Sequence, residues 1–121
     1  MTQHERHTTD HSWRYYRSAF RRRSGLFPAL APLVTIIDRI CQRGYSERLY
    51  AGASLDNLVI STHPKPRDHR QTILVIPKED TVEFRLYAEE GEAEVCTVAL
   101  NQVESTIDSL LFRLVADDLE T

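Results

Sequence analysis

The apolar positions between residues 28 and 43 recur three and four residues apart, and this spacing predicts an amphipathic helix. The stripe comprises Leu30, Leu33, Val34, Ile37, Ile40 and Cys41. Pro32 fits only the first turn of a helix, so we expect the helix to begin near Ala31. Gly44 is a suitable C-terminal stop because glycine adopts positive φ without a steric penalty.

Beyond this helix the hydrophobic period falls from about 3.6 to about 2, which is typical of strands. We expect strands over residues 47–53, 57–61, 72–76, 81–88 and 93–100. Residues 89–92 form the predicted turn of the last hairpin, and residues 62–70 form a polar loop with two prolines. These connections are too short for parallel crossovers, so the pairing should be antiparallel.

The C-terminal segment returns to a helical period, with Val103, Ile107, Leu110, Leu111 and Leu114 on one face. Asn101 is a predicted N-cap, and Glu104 would complete a capping box. The predicted fold class is therefore α+β. A four- to five-stranded antiparallel meander is flanked by an N-terminal and a C-terminal amphipathic helix, in the order α-β-β-β-β-β-α, with the helices on one face.

Residues 1–25 precede this domain as a head of different composition. Residues 1–11 are polar throughout and are expected to be disordered. A short extra helix could begin at Ser12, because Trp13, Tyr16 and Phe20 would then share one face. We therefore divide the chain into a head, 1–25, and a single α+β domain, 26–121, which is long enough to bury its own core.

Charge is distributed unevenly along the 121 residues. Residues 1–23 carry six arginines and two acidic residues, whereas residues 89–121 carry nine acidic residues and one arginine. The whole chain has a formal net charge of −3. One end of the sequence therefore suits polyanions and the other suits basic partners.

The basic head has three interpretations. It could bind nucleic acid, with arginines on phosphates and aromatic rings stacked on bases. It could instead dock on the domain through its aromatic rings, or lie on an anionic membrane. The residues that would contact nucleic acid are Arg14, Arg17, Arg21, Arg22, Arg23, Trp13 and Tyr16.

The last hairpin concentrates negative charge, which is typical either of a solvated turn or of a docking site for a basic protein. The predicted partner-binding residues are Glu90, Glu92 and Glu94, together with Arg85 and Tyr87 on the preceding strand. An interaction through this hairpin, the sheet or the C-terminal helix is the function that we favour.

The sequence contains few residues that suggest catalysis or metal binding. His63, Asp68 and His69 on the polar loop could act as acid and base in a small enzyme, but no serine or cysteine nucleophile is placed by a motif. His4, His7 and His11 have helical spacing, yet no further ligand accompanies them. We predict no catalytic residue, no metal and no cofactor.

Cys41 and Cys96 lie in apolar stretches and are expected to be buried and free. The longest apolar stretch, residues 26–37, is too short to span a membrane, and a cytoplasmic location is expected. The element order, small size and acidic pI resemble those of secretion-chaperone-like and immunity-protein-like domains, a likeness of fold that does not determine function. The absence of a catalytic motif, together with the available contact surfaces, favours a non-enzymatic interaction domain of adaptor, chaperone-like or immunity-like type. The expected partner is a protein, and a second copy of the chain is one candidate.

Overall fold

The computed structural model describes the backbone of residues 2–63, 72–87 and 93–120, and the side chains of residues 12–63, 72–87 and 93–116. Three α-helices and five strands occur in these residues. The helices are α1 (Thr2–Ser24), α2 (Ala31–Gln42) and α3 (Val103–Glu120). The strands are β1 (Tyr50–Ser54), β2 (Asn57–Ser61), β3 (Thr72–Pro77), β4 (Thr81–Tyr87) and β5 (Glu94–Ala99).

The strands form one antiparallel sheet in the order β1-β2-β3-β4-β5, so every strand pairs with its neighbour in the chain. This confirms the predicted α+β class and the antiparallel meander. The strands β1 and β5 are the two edges of the sheet.

The core lies between the helices and alternate residues of the sheet, as the period of 2 requires. On β4, Val82, Phe84 and Leu86 are buried, whereas the residues between them are half-buried. Buried side chains from all three helices belong to the same cluster. The set of strand positions that includes Glu83, Arg85 and Tyr87 faces away from this cluster.

The N-terminal helix is longer than the sequence indicated. The short helix was predicted to begin at Ser12 after a disordered tail, but α1 begins at Thr2. Neither proline nor glycine occurs between residues 2 and 24, so no residue breaks the helix. Trp13 and Phe20 are buried in the core, so the head docks on the domain through its aromatic face.

The ends of α2 agree with the prediction, since it begins at Ala31 and Gly44 follows it with a φ of +80°. The capping box at the last helix does not form. A 3₁₀ turn, Leu100–Gln102, precedes α3, and its cap residue Ala99 makes no side-chain capping hydrogen bond. The turn places Asn101 inside the helical segment, where it is not the cap.

The described helices include none that combines the length and the apolar character needed to cross a membrane.

Candidate functional site: an exposed sheet edge

The two edges of the sheet differ in how far they are covered. On β1, Tyr50, Ala51 and Gly52 are half-buried, and α1 packs against this strand. On β5, five of the six residues are exposed, and Val98 is half-buried. Val95 alone leaves 57% of its surface in solvent. The described chain therefore covers one edge of its sheet and leaves the other bare.

The bare edge is regular. Its pairing with β4 runs without a bulge from Ala99 opposite Thr81 to Glu94 opposite Leu86. The segment 95–99 contains neither a charged residue nor a proline. Edge strands of natural proteins commonly carry a lysine, a proline or a bulge that blocks pairing with another chain. Because none of these devices occurs in β5, its outer side is suited to receive a further strand.

A groove separates β5 from α3. It has a volume of about 320 Å³ and is lined by Cys96, Ser105, Ser109, Leu110 and their neighbours. Cys96 is opposite Phe84 in the sheet, so its side chain lies on the helix side of β5. It is nevertheless exposed, which shows that α3 does not cover the edge strand at Cys96.

Glu94 is the one charged residue on β5, and Arg113 of α3 neutralises it. The two side chains form hydrogen bonds of 3.1 Å, from Nη1 to Oε1, and 2.6 Å, from Nη2 to Oε2. This hydrogen-bonded guanidinium lowers the pKa of Glu94, with a further lowering by its charge. The ion pair closes one end of the groove.

The other carboxylates of the described part of α3 are also paired, in both cases with α2. Arg39 donates to both oxygens of Asp108, at 3.0 Å from Nε and 2.6 Å from Nη2, and Arg43 lies 3.5 Å away. Arg39 also lies 3.9 Å from Glu104. The hydrogen bonds from Arg39 lower the pKa of Asp108, against the opposing effect of burial.

Arg85 and Tyr87, two of the predicted partner-binding residues, lie on the face of β4 that points away from the helices. Arg85 is opposite Val95 of the edge strand. Its Nε lies 2.5 Å from Glu83 Oε2, and Lys78 Nζ lies 3.8 Å from Oε1 of the same carboxylate. Hydrogen bonds to Glu83 and Tyr87 raise the pKa of Arg85. These residues therefore adjoin the edge strand.

Of the four aromatic residues predicted to stack on nucleic acid, Trp13, Tyr16 and Phe20 are turned toward the domain, whereas Tyr15 is 58% exposed. Trp13 is fully buried, and its indole N–H donates a 2.8 Å hydrogen bond to the carbonyl oxygen of Leu49. Tyr16 is half-buried and packs edge-on against Tyr15, with ring centroids 5.0 Å apart. The ring of Trp13 is therefore not accessible to a base in this structure.

Two of the five arginines predicted to contact nucleic acid are paired with carboxylates of the domain. Arg17 donates to Asp38 of α2 at 2.5 Å, and Arg23 is paired with Asp56 in the turn between β1 and β2. The hydrogen bond to Asp38 raises the pKa of Arg17. The three other candidates, Arg14, Arg21 and Arg22, are exposed.

Several predicted residues lie outside those that the structure describes, namely Glu90 and Glu92 of the hairpin and Asp68 and His69 of the polar loop. His63, at the start of that loop, is exposed, and its carbonyl oxygen accepts a hydrogen bond from Ser61. Within the described residues, no three His, Cys, Asp or Glu side chains are grouped as metal ligands would be.

The exposure of the two cysteines differs from the prediction that they are buried. They do not form a disulfide, as expected, but both are exposed and not buried. Cys41 occupies the position in α2 that follows the buried Ile40, at the margin of the apolar stripe. Cys96 faces the helix layer at a point where no helix covers the strand.

A wider cleft of about 470 Å³ lies at one end of the sheet, between the first turns of α2 and α3. Its walls include Pro28, Pro32, Leu100 and Val103, with Glu79 and Glu104 at the margin. The cleft adjoins the C-terminal end of β5, because Leu100 directly follows that strand.

Sequence reasoning named the charged hairpin, the sheet and the C-terminal helix as interaction surfaces, and it did not single out the uncharged strand that follows the hairpin. The sequence does contain an indication of such a strand, because residues 95–99 have a strand pattern without a charged residue or a proline that would block pairing with another chain. It became informative only once the strand order showed that β5 is an edge.

No protein-family model, curated protein or solved structure matches this chain.

Proposed function

We propose that this protein is a small interaction domain that binds another polypeptide by adding one of its strands to β5. The observation that carries this proposal is the contrast between the two sheet edges, one packed against α1 and the other bare. Strand addition gives affinity through main-chain hydrogen bonds and specificity through pockets for alternate side chains.

The surroundings of β5 provide both contributions. The outer backbone of the strand supplies the hydrogen-bonding groups, since its other side is paired with β4. Side chains of an added strand would alternate between the two faces of the extended sheet. Those on the helix side would meet the groove beside Cys96 and Leu110, and those on the other side would meet Val95.

Charge also favours an uncharged contact at this edge over the acidic docking site expected from the sequence. Glu94, Glu104 and Asp108 are the acidic residues whose side chains are described between residues 93 and 116, and each is in an ion pair. A carboxylate that already has an arginine partner gains little from a second cation at an exposed site.

Binding of nucleic acid by the head is less well supported. Trp13 is buried, and Arg17 and Arg23 are paired with carboxylates of the domain. Arg21 and Arg22 are exposed, on a chain whose net charge is negative. Such a surface would give weak, salt-sensitive binding at most.

The test of this function is selection of peptides from a phage-displayed library of random dodecapeptides, using the full chain as target. The matched variants are Thr97→Lys on β5 and Ala53→Lys on β1, since both residues are exposed and both strands are edges. Peptides selected on the unmodified protein should bind A53K equally and lose at least about tenfold in affinity for T97K.

Amide chemical shifts on titration with a selected peptide give a second measurement. The expected changes are confined to β5, α3 and the adjoining face of β4. Peptides that bind T97K as tightly as the unmodified protein, or that perturb other elements, would show that the edge strand is not the binding site.

A further inference from the structure

The outer face of β5 is suited to pair with itself. Val95, Cys96, Thr97, Val98 and Ala99 are all uncharged, so two copies of this segment can approach without repulsion between their side chains. A partner strand of another protein would need its own match to this surface, whereas a second copy provides an identical uncharged strand. Two-fold pairing of one surface patch is also the commonest arrangement in oligomers.

The register of such pairing follows from the sheet geometry. In a continuous sheet with a two-fold axis perpendicular to it, residues directly opposite each other must lie on the same face. An axis that passes by Thr97 places Thr97 opposite its own copy and Val95 opposite Ala99. On the helix side it places Cys96 opposite Val98. All five uncharged residues then lie in the ladder between the two copies. Glu94 stays outside this ladder and keeps its ion pair with Arg113.

The neighbouring register is less favourable. An axis that passes by Cys96 would place Glu94 opposite Val98, so it would bring a carboxylate into the ladder. The Thr97 register instead sets two threonines side by side, a pair whose hydroxyl groups stabilise antiparallel sheets.

The helix layer leaves room for the second copy. Glu94 and Cys96 are exposed on the helix side of β5, and a groove of about 320 Å³ lies between Cys96 and α3, so the side chains of an added strand have space on this side.

We propose that β5 pairs antiparallel with β5 of a second copy of this chain, about a two-fold axis at Thr97, to form a ten-stranded sheet. This inference rests on the proposed function, because it names the strand that is added.

Charge reversal tests the pairing without relying on a destabilised variant. In T97K the two lysines lie directly opposite each other, and in T97E the two glutamates do. Each variant alone should raise the dimer Kd by about two- to tenfold, because the threonine pair is lost and like charges directly opposite each other destabilise a sheet. An equimolar mixture of T97K and T97E should restore dimers, measured by light scattering from micromolar to millimolar concentration, and A53K should leave the dimer unchanged.

Disulfide trapping tests the register. In the background C41S/C96S, the variant T97C places two cysteines opposite each other with Cα atoms about 4.5–5.5 Å apart, within reach of a disulfide. Oxidation with diamide should therefore yield a covalent dimer. In the unmodified chain the two Cys96 residues are diagonal neighbours with Cβ atoms about 7–8 Å apart, too far for a disulfide.

The outcomes separate this inference from the proposed function. A monomer at all concentrations that still binds selected peptides through β5 would overturn the self-pairing and leave the function in place. A dimer that T97K and T97E leave intact would overturn the self-pairing as well, and a failure of every β5 variant to alter any association would overturn both. Rapid trapping through Cys96, with none through T97C, would overturn the Thr97 register.

Discussion

Trp13 and Leu49 are joined by a hydrogen bond of 2.8 Å from the indole Nε1 to the carbonyl oxygen, across 36 residues of the chain. Both residues are buried, so the bond satisfies two polar groups that water cannot reach. It attaches α1 to the segment that leads into β1. The covered state of the β1 edge, and hence its difference from β5, depends on this contact.

Replacement of Trp13 by phenylalanine should therefore lower the free energy of unfolding by about 2–3 kcal/mol. The smaller ring leaves a cavity, and the Leu49 carbonyl loses its indole donor. Urea denaturation followed by circular dichroism measures the change. The matched control is Tyr15→Phe, since Tyr15 is 58% exposed and its replacement should change stability by less than about 0.5 kcal/mol. Equal effects of the two substitutions would show that α1 does not contribute this contact to the core.

The turn between β1 and β2 contains a conformational strain that can be relieved. Leu55 has a φ of +59° and is 90% exposed, so its side chain gains little from packing. Positive φ at the first central residue of a two-residue hairpin turn favours glycine. Leu55→Gly should stabilise the protein by about 0.5–1 kcal/mol, because removal of Cβ relieves more strain than the added freedom of the unfolded chain costs.

The control for this effect is Leu55→Ala, which removes the same exposed side chain but retains Cβ and the strain. Thermal unfolding of the two variants should show a higher midpoint for L55G than for L55A. If L55A were stabilised as much as L55G, the effect would come from the lost apolar surface and not from the backbone.

The pairing of Asp108 with Arg39 predicts a specific dependence of stability on pH. The pKa of Asp108 is lowered below its ordinary value of 3.8 in the folded protein. The unfolded chain thus binds a proton at higher pH than the folded chain does. This stabilisation is present above pH 3.8 and is lost as the pH falls through the depressed pKa.

Asp108→Asn removes the charge and should lower stability by an amount that is constant between neutral pH and about pH 5. The difference from the unmodified protein should shrink below about pH 4, as Asp108 itself becomes protonated. Glu104→Gln is the control, since Glu104 is 59% exposed and 3.9 Å from Arg39, so its effect should be smaller at every pH. A D108N difference that stays constant down to the acid transition would contradict this role of Asp108.

The sequence predicts the architecture because local patterns and short connections determine it. Alternation on β4 and the apolar stripe of α3 identified those elements, and loops too short for crossovers fixed the antiparallel order. The boundary of α1 was not predictable in the same way. A polar segment such as residues 2–11 has no hydrophobic period, and its helix continues from the amphipathic turns that follow it.

The candidate site was harder to predict than the fold, since an edge is a property of the whole sheet. Val95 and Cys96 have the same local pattern whether or not another strand covers them. The same limit explains the error at Cys96, because its apolar neighbours suggest burial while its position at the edge exposes it. The acidic residues of the hairpin favoured it as a binding site, yet Glu94 is already paired with Arg113. The spacing of these two residues in the sequence does not indicate that they form a pair.

The reactivity of the two thiols tests whether the exposed edge strand β5 pairs with a second copy of the chain. Cys41 and Cys96 are both exposed in the single chain, so a thiol reagent such as DTNB should modify both without denaturant. In the dimer, Cys96 lies opposite Val98 of the second copy, whereas Cys41 lies on α2 away from β5. The rate at Cys96, measured in C41S, should therefore fall as protein concentration rises, and the rate at Cys41, measured in C96S, should remain constant. Adding T97K to C41S should remove the concentration dependence. If both thiols reacted at rates independent of concentration while light scattering showed a dimer, the contact between copies would lie elsewhere than β5.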